Sequence, residues 1–232
     1  MDDKIIFKNK IEDSISNFAK RVSWQKKQGF IKLHYSKNQF CSLDNTRTPT
    51  YNRFIELLQR VSLSIAADIQ LKYKQGNIVE IGAAEGWTSV SFAEAAEQYK
   101  KKLYIIDPYN GSECGSELVY NDFLESISKY SNIEHLRAKS TDESAIDFLK
   151  NAKPSFIYLD GLHSGKTPIR DLENCYEALD HGGLIAVDDT DNLRSVVGKK
   201  FKDMCDEEAF EMLDIKWYNL QDEKTWHFAI KK

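Results

Sequence analysis

Ile78-Val79-Glu80-Ile81-Gly82-Ala83-Ala84-Glu85-Gly86-Trp87-Thr88 is an apolar run carrying one acid, then a turn with two glycines, then the start of an amphipathic stretch. A strand feeding a helix through a tight turn is half of a crossover unit. The pattern recurs: apolar runs at 103–106, 133–136, 156–159 and 184–187 alternate with amphipathic stretches at 88–100, 117–130, 141–151 and 167–179. A parallel connection must travel back along the sheet, so this alternation predicts an α/β, doubly wound, mostly parallel sheet with helices on both faces. Pro168 suits a first helical position, and Gly182-Gly183 ends that helix. Runs at 215–220 and 225–230, joined by Gln221-Asp222-Glu223-Lys224, predict an antiparallel C-terminal hairpin and bring the expected strand count to seven.

Upstream of the sheet the texture is helical. Ile11, Ile15, Phe18 and Val22 share one face of a helix that should stop by Gly29. Phe54, Leu57, Leu58, Val61, Ile65 and Ile69 trace a second stripe, with Thr50 placed to cap it. Residues 1–75 therefore read as a helical extension and 76–232 as the sheet-bearing domain. Both stripes can pack on the sheet or on a second copy of the chain.

The whole chain suits this reading. Its 232 residues fit one large domain with an extension, and 41% hydrophobic against 29% charged, with 4 Pro and 11 Gly, excludes a disordered or collagen-like chain. Thirty-two Lys and Arg against 36 Asp and Glu give a net charge of −4, which supplies no pull toward nucleic acid. No stretch approaches the ~20 apolar residues of a membrane span. Met1-Asp2-Asp3-Lys4 lacks a signal peptide's order, so a cytoplasmic protein is expected. Cys41, Cys114, Cys175 and Cys205 lack zinc or disulfide spacing.

In an open parallel sheet, ligands bind beyond the carboxyl ends of the strands. Those ends carry Glu80, Asp107, Ser140 slightly beyond the third run, Asp160, and Asp188 with Asp189. Gly82 and Gly86 let backbone approach a ligand, or equally let a helix pack on a strand. They do not meet G-x-G-x-x-G, which weighs against a dinucleotide and a dehydrogenase. Asp107 is placed to accept hydrogen bonds from ribose hydroxyls, and Pro108 holds it in extended backbone.

The Glu80-x-Gly82-x-x-x-Gly86 turn, Asp107, the later Asp160-Gly161-Leu162-His163, and Gly182-Gly183 before Asp188-Asp189 resemble class I S-adenosylmethionine-dependent methyltransferases. Within them the chain is most similar to metal-assisted O-methyltransferases that modify sugars, the macrocin type. The resemblance covers about 77–191 and implies a Rossmann-like methyltransferase fold. It implies Glu80 and the Gly82 to Gly86 backbone at the methionine end of S-adenosylmethionine, Asp107 at the ribose, Ser140 at the adenine, and Trp87 near donor or acceptor. It assigns His163 the role of general base.

If the fourth and fifth strands are neighbours, the carboxylates of Asp160, Asp188 and Asp189 can converge on a hard cation, Mg²⁺ or else Mn²⁺ or Ca²⁺. Asp188 and Asp189 can share an ion only where the strand has ended. The expected chemistry is O-methylation of a sugar or other small vicinal diol: the ion held by Asp160, Asp188 and Asp189 binds two adjacent substrate oxygens and lowers the pKa of the hydroxyl, His163 removes its proton, and the 108–117 loop closes over the donor. Asp171 can orient His163 or a substrate hydroxyl. His181 precedes the fifth strand and so falls at the opposite end of the sheet, while His34, His135 and His227 have no motif around them. Tyr35, Arg47, Tyr51 and Arg53 are candidate acceptor contacts. Two other readings share the scaffold: a non-catalytic donor-binding domain and a metal-dependent hydroxylase, the latter lacking a second well-placed histidine.

Overall fold

A computed structural model describes residues 3–27, 49–109, 116–162, 165–190, 195–218 and 226–232. Two long helices, α1 (Asp3–Lys27) and α2 (Pro49–Tyr73), come first. The alternating region follows: β1 (Asn77–Ile81), α3 (Trp87–Gln98), β2 (Leu103–Ile106), α4 (Ser116–Ile127), β3 (Ile133–Leu136), α5 (Glu143–Asn151), β4 (Pro154–Leu159), α6 (Thr167–Ala178) and β5 (Leu184–Val187). The chain ends with α7 (Val196–Asp206), β6 (Phe210–Met212) and β7 (His227–Lys231). The sheet order is β3-β2-β1-β4-β5-β7-β6, with β7 antiparallel to both neighbours and the other pairs parallel. This is the α/β, doubly wound, mostly parallel seven-stranded sheet that the alternation predicts, with the Rossmann-like architecture that the resemblance implies.

Successive strand residues face opposite sides, so each strand serves two cores. Ile78, Ile105, Phe156, Tyr158, Ala186 and Phe228 pack with Ile11, Ile15, Leu58, Leu63 and Phe92 from α1, α2 and α3. Val79, Ile106, Ile157, Ile185 and Ala229 pack with Leu149, Leu172, Cys175, Val197 and Phe201 from α5, α6 and α7. The second helix is pinned by polar contacts as well. Trp226 Nε1 donates to Ser62 Oγ at 3.0 Å, and Gln70 Nε2 donates to the Ser155 carbonyl at 2.8 Å.

Three expectations need correction. Helix α2 begins at Pro49, so Thr50 lies inside its first turn and not at its cap. The sixth strand is Phe210–Met212, and 213–217 is not a strand. Leu213 N–H still bonds the Phe228 carbonyl at 2.9 Å, but Ile215 N–H turns back to the Leu213 carbonyl at 3.2 Å, and α1 takes the donors on the other side: Asp214 N–H bonds Glu12 Oε1 at 2.8 Å and Lys216 N–H bonds Ser16 Oγ at 2.9 Å. Helix α7 has no counterpart in the sequence reading. The expected 221–224 turn lies outside the described residues.

Candidate functional site

Register builds the rim. Ile81 pairs with Ile106 and with Leu159, and Leu159 pairs with Val187, so four strands end level. The residues that follow interlock: Gly82 N–H bonds the Ile106 carbonyl at 3.0 Å, Asp160 N–H bonds Ile81 at 2.9 Å, and Asp188 N–H bonds Leu159 at 2.9 Å. Gly82, Asp107, Asp160 and Asp188 therefore stand side by side at one end of the sheet.

Gly82 has φ +88°, and a Cβ there would meet the Asp160 carbonyl. Only glycine lets the β1 and β4 exits come this close. Asp107 shapes the turn. Its Oδ2 accepts from Ala83 N–H at 2.8 Å and Ala84 N–H at 3.1 Å, while Oδ1 accepts from Tyr109 N–H at 2.7 Å. The expected ribose ligand thus also braces the glycine turn. A carboxylate has about four lone-pair sites, so further acceptor capacity remains.

Glu80 lies on the face toward α3, buried, with Ser89 Oγ donating to its Oε2. Its Oε1 is buried without a partner among the described residues. Burial pushes this carboxyl up to about 8, against the Ser89 hydrogen bond and with help from the Asp160 and Asp107 charges. A rim crowded with acids, one of them starved of a donor, suits a ligand bearing positive charge.

Inside β4, near its end, the buried Tyr158 donates its hydroxyl proton to Asp160 Oδ2 at 2.9 Å. Burial, then the charges of Asp160 and Asp188, hold that phenol well above its ordinary range. Gln59 of α2 reaches the same hydroxyl from above, its Nε2 donating at 2.8 Å. Neither Tyr158 nor Gln59 was singled out in the sequence, because they lie 99 positions apart and no local pattern joins them.

Asp189 has φ 54°, so the chain has left strand geometry where Asp188 and Asp189 meet the rim. Ser195 Oγ fixes this bend through the Asp189 carbonyl at 2.6 Å and caps α7 through Gly198 N–H at 3.0 Å. Asp160, Asp188 and Asp189 follow adjacent strands, yet among the described residues no group of three or more His, Cys, Asp or Glu is arranged to hold a metal ion. His163 lies outside the described residues, as do 191–194 and 110–115. His34, Tyr35 and Arg47 also fall outside them. His227 also stands at this end, paired across from Val187, with Nδ1 2.7 Å from Thr190 Oγ1.

Trp87 opens α3 and is 42% exposed, so it is not core; the Arg60 guanidinium of α2 stands 4.8 Å from its ring centroid. Ser140 is half-buried in the turn after β3, which Asp142 closes through Lys139 N–H at 3.2 Å. Asp171 is buried under Gly161. Burial pushes its carboxyl up to about 6, the Ser140 hydroxyl pulling the other way, and neither oxygen makes a well-formed hydrogen bond among the described residues.

Residues 79–190 match the family model of a methyltransferase domain, a span that opens in β1 and closes just after Asp188 and Asp189. No curated protein sequence matches the chain. Among solved structures, the chain is similar to the apo form of CalS11, a TDP-rhamnose 3'-O-methyltransferase of calicheamicin biosynthesis, with TM-score 0.55 and 12% identity over 91% of this chain and 92% of that one. It is similar to the SAH-bound methyltransferase PaMTH1 of Podospora anserina, with TM-score 0.52 and 14% identity over 81% and 83%. The O-methyltransferase TomG of Streptomyces achromogenes, solved with SAM, gives TM-score 0.51 and 13% identity over 95% and 91%. At such identities the likeness is one of fold.

Proposed function

We propose that the chain transfers a methyl group from S-adenosylmethionine to a hydroxyl oxygen of a small acceptor, a sugar or another vicinal diol. One observation carries the reading: inside the segment that matches a methyltransferase domain, Asp107 braces the Gly82 turn while the buried Glu80 Oε1 waits for a donor. The fit to the cofactor follows from charge. S-adenosylmethionine brings an ammonium, a sulfonium and the activated methyl itself. Glu80 receives the ammonium end along the Gly82 to Gly86 backbone, Asp107 offers its remaining acceptor capacity to the ribose, and Ser140 borders the adenine. Trp87 forms the edge toward the acceptor.

His163 takes the acceptor's proton in this reading, and Asp160 aligns the attacking oxygen. A divalent ion, Mg²⁺ or else Mn²⁺ or Ca²⁺, belongs to the same proposal through Asp160, Asp188 and Asp189. The described residues do not by themselves form a three-ligand group. Residues 1–75 contribute to acceptor choice, since Gln59 and Arg60 both reach the rim.

Titration calorimetry with S-adenosylmethionine and its demethylated product tests the donor; failure to bind either ends the proposal. With donor binding in hand, a screen of nucleotide sugars, glycosides and catechols tests transfer. No turnover with any of them favours the non-catalytic donor-binding reading. Turnover that survives EDTA removes the ion, and unchanged turnover in His163→Ala removes the base.

A further inference from the structure

The Tyr158 hydroxyl has one proton, and its surroundings leave that proton one destination. Gln59 Nε2 donates to the hydroxyl oxygen, and the hydroxyl donates to Asp160 Oδ2. An amide N–H accepts nothing and a carboxylate oxygen has no proton to return, so the chain runs one way, from amide to phenol to carboxylate. The middle link is rigid. Tyr158 is 1% exposed, sits inside β4, and meets Phe92 edge-on at 5.9 Å between ring centroids. The outer link belongs to α2, which Ser62 and Gln70 tie to the sheet.

We infer that Gln59 and Tyr158 are positioning residues for Asp160. They commit Oδ2 to the interior and so set the rotamer in which this carboxylate meets the rim. Orientation of a β4-end carboxylate is thereby governed from α2, outside the 79–190 segment. A shift of α2 against the sheet is transmitted to Asp160 through two hydrogen bonds. The inference rests on the methyl-transfer reading only for what Asp160 is positioned to do.

The test uses the full chain with glutamine side-chain amides labelled for NMR. Asp160→Asn should move the Gln59 side-chain amide resonances, and the response should vanish in a Tyr158→Phe background. Packing alone would not transmit such a change. An unmoved Gln59 resonance, or one that moves equally without the phenol, overturns the relay. Should either variant fail to fold, Gln59→Leu at a half-buried helix position replaces it. Its crystal structure should show the Asp160 carboxylate rotated or split between rotamers, and an unchanged Asp160 overturns the inference. Failure of the methyl-transfer reading is recorded separately, as absence of donor binding by the unaltered chain.

Discussion

A methyl group on Gly82 would stand 1.9 Å from the carbonyl oxygen of Asp160. Neither backbone can retreat, because Asp160 N–H is bonded to the Ile81 carbonyl at 2.9 Å within the β1–β4 ladder. Gly82→Ala is therefore expected to cost at least the ~1–3 kcal/mol of a strained left-handed residue, and more for the clash. For a chain of this size that is a fall in Tm of roughly 5 °C or more, with donor affinity lost alongside. Gly161→Ala is the control, since its Cβ would approach Asp171 Oδ2 no closer than 3.4 Å. Thermal unfolding of both variants checks the contrast, and equal losses would count against the account.

Asp107 holds three backbone N–H groups from two segments. Asp107→Ala should cost about 2–3 kcal/mol, because hydrogen bonds to a charged acceptor are among the stronger ones but Ala84 is exposed to water. Asp107→Asn, which keeps one acceptor oxygen, should lose about half as much. Urea unfolding of the two variants gives the ratio. Donor affinity should fall more than tenfold in the alanine variant, since turn and ribose contact are lost together.

These two residues mark what a sequence can and cannot tell. That Gly82 and Asp107 sit at strand ends follows from the apolar runs before them, and the five parallel strands are legible because each is bounded by polar or small residues. That Asp107 binds Ala83, 24 positions away, is not legible, because it depends on strand order and register. The misplaced sixth strand has a similar origin. Ile215 and Trp217 look like strand residues and are in fact buried or half-buried, with Trp217 set against Trp226 at 5.4 Å, but the ladder stops after Leu213 because Ile215 N–H turns back to the Leu213 carbonyl at 3.2 Å, and α1 holds the segment through Asp214 and Lys216. The signal for helix α7 is local: Ser195 as cap, then Val197, Phe201 and Met204 on one buried face.

Glu80 makes stability depend on pH. Its carboxyl titrates near 8 in the fold, mainly through burial, against an ordinary value of 4.5. Between those values the folded chain keeps a proton that the unfolded chain has released, so stability falls as pH rises across this window and levels off above it. The contribution is on the order of a few kcal/mol. Asp171, raised to about 6 by burial, adds a slope of the same sign over a narrower range that starts at its ordinary 3.8. Glu80→Gln should remove most of the decline between pH 5 and 8, and Asp171→Asn the part below pH 6. Urea midpoints at intervals of pH test this; a slope that persists in both variants would show that other groups carry it.

The same carboxyl gives donor binding a signature that needs no acceptor. At pH 7 the Glu80 carboxyl of the ligand-free chain is mostly protonated, with Oε1 buried and unpartnered among the described residues. An ammonium group placed against that oxygen favours the carboxylate and lowers its pKa. Binding of the demethylated donor product at pH 7 should then expel up to about one proton. Calorimetry in phosphate and in Tris separates this release, because the two buffers absorb protons with different heats. The unaltered chain should give unequal apparent enthalpies, and Glu80→Gln should bring them together while weakening binding. Equal enthalpies in the unaltered chain would place the ammonium elsewhere and remove Glu80 from the donor site, even if the donor binds tightly.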